Sequence, residues 1–236
     1  MKLFNLILDF LYPKRCPVCH DIVDTLGQLI CEKCRKKLTY IEEPWCMKCG
    51  KPLRNSTNEY CNDCIKNKRN YDEGRSVFLY DDVMRKSIYS FKYNGRTEYA
   101  EFYATEIYNR LKQKIYSWKS DALIPIPLHK SKLKKRGYNQ AYLIAKELSK
   151  LTGIPVKANY LIRTKNTTVQ KKLDAGGRAQ NAKNAFKISQ NEVKLQSAIL
   201  IDDIYTTGAT IMAATEALRA AGVEKVYYIS LSIGHD

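Results

Sequence analysis

The stretch SAILIDDIYTTGAT, residues 197–210, sets two adjacent carboxylates, Asp202 and Asp203, between an apolar run and the small polar residues Thr206, Thr207, Gly208, Ala209 and Thr210. Read as strand, turn and helix, this segment brings backbone N–H groups and threonine hydroxyls together at a helix start, a cradle suited to a phosphate. Gly208 removes a side chain where the backbone must come close to a ligand. The two acids would repel a phosphate they touched. Set a short distance away, they accept hydrogen bonds from the vicinal hydroxyls of a sugar, so the ligand implied is a ribose 5-phosphate. A Walker-type loop is excluded, because no Gly-Lys-Ser/Thr follows.

The second group of chemically competent residues is the set of 8 cysteines, all between positions 16 and 64, in the pairs CPVC, CEKC, CMKC and CNDC. A Cys-x-x-Cys turn converges two thiolates on one ion, and two such turns complete a tetrahedral Zn²⁺ site. Cys16, Cys19, Cys31, Cys34, Cys46, Cys49, Cys61 and Cys64 therefore supply two sites with no position left for water, structural rather than catalytic. Sequential pairing closes the shortest loops, although the even spacing also permits interleaved pairing. A disulfide framework would need an oxidising compartment, to which nothing else in the sequence points. The segment has little apolar content, so metal must hold it folded. Lys14, Arg15, Lys33, Arg35, Lys36 and Lys37 around these turns suit a nucleic-acid or protein partner, or simply a solvated face.

The elements that position these groups follow from periodicity. RSVFLY (75–80) reads as a strand, 82–95 as a helix stopped by Asn94-Gly95, and 99–115 as a second helix. A strand in DALIPIP, a basic loop at 128–137, a helix over 138–152, a strand around Tyr160 to Ile162 and a long polar loop come next. The strand SAILI, a helix carrying Ile211, Ala214, Leu218 and Ala221, and the strand VYYISLSI close the pattern. Strands alternating with helices imply an α/β fold with a mostly parallel sheet covered on both faces, and ligands in such sheets bind beyond the carboxyl ends of the strands. The expected organisation is a short amphipathic helix at 1–12, a double zinc ribbon at 13–68 and the α/β domain at 72–236.

Composition sets the outer limits. The 236 residues are 44% hydrophobic, enough for a core, and carry 40 Lys and Arg against 24 Asp and Glu, a formal charge of +16. That balance favours polyanionic partners such as nucleic acid or phosphorylated metabolites. No run reaches the roughly 20 apolar residues of a membrane span, and the opening segment lacks a secretory cleavage site, so a cytoplasmic protein is expected. Most of the 17 tyrosines are expected to pack, a minority to stack on single-stranded bases.

ILIDDIYTTGAT resembles the phosphoribosyl-pyrophosphate (PRPP) loop of type I phosphoribosyltransferases. FKYNG (91–95), PIPLHKSKLKKRGYNQA (125–141), TVQKKLD (168–174) and GRAQNAKNAF (177–186), together with the cysteine pairs, resemble the ComF family of competence proteins. One departure is KLDAGG (172–177), whose glycines predict a mobile loop. The resemblance implies an α/β domain of the type I phosphoribosyltransferase kind behind a zinc ribbon. In it, Asp202 and Asp203 hold the ribose 2′ and 3′ hydroxyls, and residues 206–210 hold the 5′-phosphate of PRPP accompanied by Mg²⁺. His129, Lys135 and Arg136 become candidates for diphosphate oxygens, with Asn139 and Gln140 shaping their loop. Thr168, Gln170, Arg178 and Asn181 become candidates for the same cleft or a nucleic-acid path.

The function so implied is DNA uptake, with single-stranded DNA and PRPP bound. It would cooperate with an ATP-dependent DNA translocase or helicase at the inner face of the membrane. Binding through the basic loops would be salt-sensitive and sequence-tolerant. The alternative is an active phosphoribosyltransferase using an amine or nucleobase acceptor. Against it stand the short stretch after the final strand, which leaves little for a base-binding hood, and the Met1-Lys2 start, which places no cysteine as an amidotransferase nucleophile. A third reading is a structural adaptor that recruits a protein partner through its ribbons.

Overall fold

The computed structural model describes residues 13–23, 27–164, 185–189 and 193–234. The helix expected at 1–12, and with it Thr168, Gln170, Arg178 and Asn181, lies outside the described residues. Two short helices, α1 (Glu32–Arg35) and α2 (Asn62–Lys66), belong to the cysteine-rich part. Beyond it come β1 (Glu73–Leu79), α3 (Asp82–Tyr93), α4 (Tyr99–Ser117), β2 (Ala122–Pro125), α5 (Lys130–Arg136) and α6 (Gln140–Thr152). They are followed by β3 (Leu161–Arg163), β4 (Phe186–Ile188), β5 (Ser197–Tyr205), α7 (Ala209–Ala220) and β6 (Lys225–Ile233).

Four strands form one sheet in the order β1-β6-β5-β2, with every neighbouring pair parallel. The parallel sheet agrees with the alternating pattern, and near-continuous burial along β1, β2, β5 and β6 is what a sheet covered on both faces requires. Because successive side chains leave a strand on opposite faces, β5 sends Ile199 and Ile201 into one core and Ala198 and Leu200 into the other. The first core is closed by Ile88 and Phe91 of α3, Tyr103 and Ile107 of α4, and Ile144 and Leu148 of α6. The second is closed by Ile211, Ala214 and Leu218 of α7.

Capping follows the residue types. Asp81 accepts from the Met84 N–H at the start of α3, and Asn139 from the Ala141 N–H at the start of α6. The outer edge of β1 is covered by residues 39–41, where the Leu79 N–H donates to Thr39 O and the Ile41 N–H to Val77 O, each at 2.9 Å. No helix among the described residues is long and apolar enough to cross a membrane.

Three local expectations change. The basic loop at 128–137 is largely the helix α5, since its lysines, leucine and arginine are good helix formers. The imidazole of His129 caps its start, and Gly137, at φ 85°, ends it in the left-handed conformation. The long polar loop contains β4, which pairs antiparallel with β3 as a separate two-stranded sheet, Ile162 opposite Lys187. The strand read as SAILI continues through both acids to Tyr205, because β6 is long enough to pair them: Asp202 lies opposite Ser230 and Tyr205 opposite Ile233.

Candidate functional site

The cysteines gather into two quartets, Cys16, Cys19, Cys31 and Cys34, then Cys46, Cys49, Cys61 and Cys64, each with its sulfurs within 4.8 Å of one another. The pairing is therefore sequential. A tetrahedron of thiolates about 2.3 Å from a central Zn²⁺ has edges of about 3.8 Å. Cys19 and Cys31 stand 3.8 Å apart, Cys16 and Cys31 3.6 Å, and Cys49 and Cys61 3.6 Å. The two quartets thus fit two structural zinc ions.

Each first knuckle is a tight turn, closed by the His20 N–H donating to Cys16 O at 2.9 Å and the Gly50 N–H to Cys46 O at 2.8 Å. Burial alone would raise the Cys16 thiol. N–H groups of Cys19, Cys31 and Val18 directed at its sulfur outweigh that, bringing it down to about 7, a thiolate ready for metal.

The acid pair lies near the carboxyl end of β5, and its two members face different surroundings. Asp203 is only 5% exposed. Its Oδ1 accepts from Lys92 Nζ of α3 at 2.7 Å, and its Oδ2 from the Gln140 amide at the start of α6. Asp202 accepts from the Asp203 N–H at 2.9 Å and lines a concavity with Ile204, Tyr205, Thr206, Thr207, Gly208, Ala209, Thr210 and Ile211. Burial, and next the neighbouring Asp203 charge, push the Asp202 carboxyl up to about 7, against the opposing pull of Lys92 and Arg163.

The turn itself is built around glycine. Gly208 has φ 77°, and a Cβ there would run into the Tyr205 hydroxyl, with the ring carbon Cζ only 2.7 Å away. Both demands exclude other residues. Thr206, Thr207 and Ala209 are exposed and Thr210 half-buried, so this rim is open to solvent.

The second ribbon reaches this turn directly. Arg69, buried and paired with Asp63, donates to Thr207 O at 3.1 Å, and the Asn70 amide donates to Met212 O at 2.9 Å. The Tyr71 and Tyr205 hydroxyls are 2.8 Å apart, and the Tyr228 hydroxyl donates to Cys49 O at 2.7 Å. A chain of contacts therefore runs from a metal ligand to the underside of Gly208.

Of the remaining expected residues, Arg136 is drawn in: its guanidinium donates to Gln140 Oε1, one step from Asp203. His129 is committed to capping α5, its Nδ1 2.8 Å from Ser131 Oγ, and Lys135 is exposed on that helix. Lys92, Arg69 and Arg163 escaped the sequence reading. Lys92 sits inside FKYNG, but one lysine on an amphipathic helix looks like a solvated residue until Asp203 is seen behind it. For Arg69 and Arg163 no sequence signal existed.

The fold and these sites define a double zinc ribbon joined to an α/β domain whose acid-acid-Thr-Gly turn leads from a parallel strand into a helix. Residues 7–65 match the family model described as the double zinc ribbon domain. The protein is ComFC-like: it is 33% identical over 150 residues to Competence protein ComFC of Bacillus subtilis, covering 64% of this chain and 59% of that protein. It is 42% identical over 108 residues to Competence protein F of Haemophilus influenzae, covering 45% of this chain and 47% of that one. DNA utilization protein YhgH of Escherichia coli K12 is 30% identical over 106 residues, 45% of this chain and 46% of its own. The chain thus spans about half the length of the curated relatives it matches. A purine phosphoribosyltransferase structure from Pyrococcus horikoshii aligns with a TM-score of 0.34 at 15% identity, over 57% of this chain and 84% of that one.

Proposed function

We propose that this protein is a DNA-uptake factor that binds PRPP with Mg²⁺ in the turn after β5 and single-stranded DNA on its basic surface, at the cytoplasmic face of the membrane beside an ATP-driven translocase. The names of its relatives, two competence proteins and a DNA utilization protein, support the process. The observation that carries the ligand is Asp202 standing at the lip of the open Thr206–Thr210 turn. In this reading N–H groups and hydroxyls of Thr206, Thr207, Gly208, Ala209 and Thr210 take the 5′-phosphate, aided by the start of α7. Asp202 accepts from a ribose hydroxyl. Asp203 contributes the second acid when a hydroxyl replaces the Gln140 amide or Lys92. Mg²⁺ would arrive with the diphosphate and neutralise part of its charge.

Calorimetric titration with PRPP and Mg²⁺ tests this. Binding is expected for the native chain, with at least a tenfold loss for Asp202→Ala, since a hydrogen bond to a charged group contributes about 1.5–3 kcal/mol. Absence of heat from the native chain at millimolar PRPP would remove the reading.

The second reading, transfer of the phosphoribosyl group to an amine or nucleobase, draws support from the cations close to the acids. Arg136, joined to Asp203 through Gln140, and Lys92 could take charge from a departing diphosphate. Diphosphate release across a panel of acceptors distinguishes it from binding alone.

A further inference from the structure

The outer face of α3 carries Lys86, Tyr89 and Tyr93, all exposed. The two tyrosines are 58% and 57% exposed, unusual for large rings that bury well. Their centroids are 4.9 Å apart with the planes at 47°. The guanidinium of Arg136 sits 5.0 Å from the Tyr93 centroid, a cation–π contact that fixes the ring beside α5. Within α5, KSKLKKR, Lys130, Lys132, Lys134 and Lys135 are all exposed and no acid interrupts them. The junction is tied by the Tyr138 hydroxyl donating to Phe91 O of α3.

We propose that Tyr89 and Tyr93, bordered by the lysines of α5, form the platform on which single-stranded DNA lies, bases on the rings and phosphates along the helix. This rests on the single-strand part of the function proposed above and names the surface. The two halves of the patch match the two halves of the ligand: aromatic faces serve any unpaired base, and lysines serve phosphates without reading sequence. A duplex hides its base faces in the stack, so it could use only the lysines. The platform also borders the acid pair, because Lys92, between the two tyrosines on the same helix, turns inward to Asp203.

The test uses the full chain with zinc bound and a labelled oligothymidine of about 20 nucleotides, followed by anisotropy at about 50 mM and about 200 mM salt, with a duplex of equal length alongside. The native chain is expected to prefer the single strand. Tyr89→Ala should weaken it about tenfold, in the range of one lost stacking contact, while Tyr89→Trp should bind as the native chain does. Lys132→Gln combined with Lys134→Gln should lower the salt slope by about 1. Native-level binding by Tyr89→Ala, or equal binding of duplex and single strand, overturns the platform. A native chain that binds no single strand at the lower salt overturns the single-strand reading itself.

Discussion

The first ribbon packs into the core on the α3–α4 side of the sheet and the second into the core on the α7 side, so one spacing of cysteines serves two unlike surfaces. The position after each leading knuckle shows how. His20 and Gly50 occupy it with nearly equal φ of 68° and 72°. At His20 the side chain is used: Nδ1 lies 2.7 Å from the Tyr99 hydroxyl and Nε2 3.2 Å from Ser90 Oγ. At Gly50 no side chain fits, since a Cβ would stand 2.8 Å from Gly74 O of β1.

Elsewhere the first ribbon is held at its rim by Lys14 on Glu101 and by Arg35 and Tyr40 on the buried Glu106. The second extends polar contacts to the turn after β5. Identical metal chemistry therefore leaves one ribbon an anchor for helices and makes the other a support for the candidate ligand site.

The largest effect is expected from removing one ligand of each set. Cys49→Ser, at a sulfur 1% exposed, should cost about 3–5 kcal/mol or more and abolish PRPP binding, because residues 69–71 lose their support. Cys19→Ser, at the surface, should cost about 1–3 kcal/mol and leave PRPP affinity within about twofold. Zinc content by mass spectrometry and calorimetric titration read both, and equal loss of PRPP binding would erase the distinction.

Next in size, Arg69→Ala should destabilise by about 2–4 kcal/mol by leaving Asp63 without its partner and freeing Thr207, and weaken PRPP about tenfold. Arg35→Ala, whose Glu106 keeps the Tyr40 hydroxyl, should cost about 1 kcal/mol and spare the ligand. Denaturant melts and titrations separate them. Gly50→Ala should lower stability by about 2–3 kcal/mol through strain and crowding, against about 1–2 for His20→Gly, which keeps the turn and loses two hydrogen bonds.

The smallest effect tests the acid pair rather than the ribbons. Asp202 is pushed up to about 7, above its ordinary 3.8. A folded pKa raised in this way means the stability it contributes is complete below about 4 and disappears as pH rises through about 7. Asp202→Asn should therefore melt higher than the native chain at pH 8, by about 1–3 kcal/mol after allowance for the solvent-facing side, with the gap closing toward pH 5. A gap that widened on acidification would show the carboxylate to be favoured by its surroundings.

The sheet was legible because parallel strands buried on both faces leave dense apolar runs, as in AILI and VYYI, and the metal sites because Cys-x-x-Cys spacing has few other uses. What sequence could not supply were contacts between remote segments. Lys92 and Gln140 lie 111 and 63 positions from Asp203, and Arg69 lies 138 from Thr207. Reading Asp202 and Asp203 as equivalent failed for the same reason: alternation along β5 sends the first to the concavity and the second against α3 and α6. The β3–β4 pair was missed because a three-residue strand in a polar stretch has too few alternations to register.

The covering of β1 by residues 39–41 has a consequence for handling the protein. That segment joins the two ribbons, so stripping both metals is expected to uncover a row of unpaired backbone groups on an otherwise apolar strand, a template for self-association. Chelation should then produce particles visible by light scattering before a soluble unfolded monomer accumulates. Clean monomeric unfolding in chelator would show the strand rim to be shielded by something other than the metal-held chain.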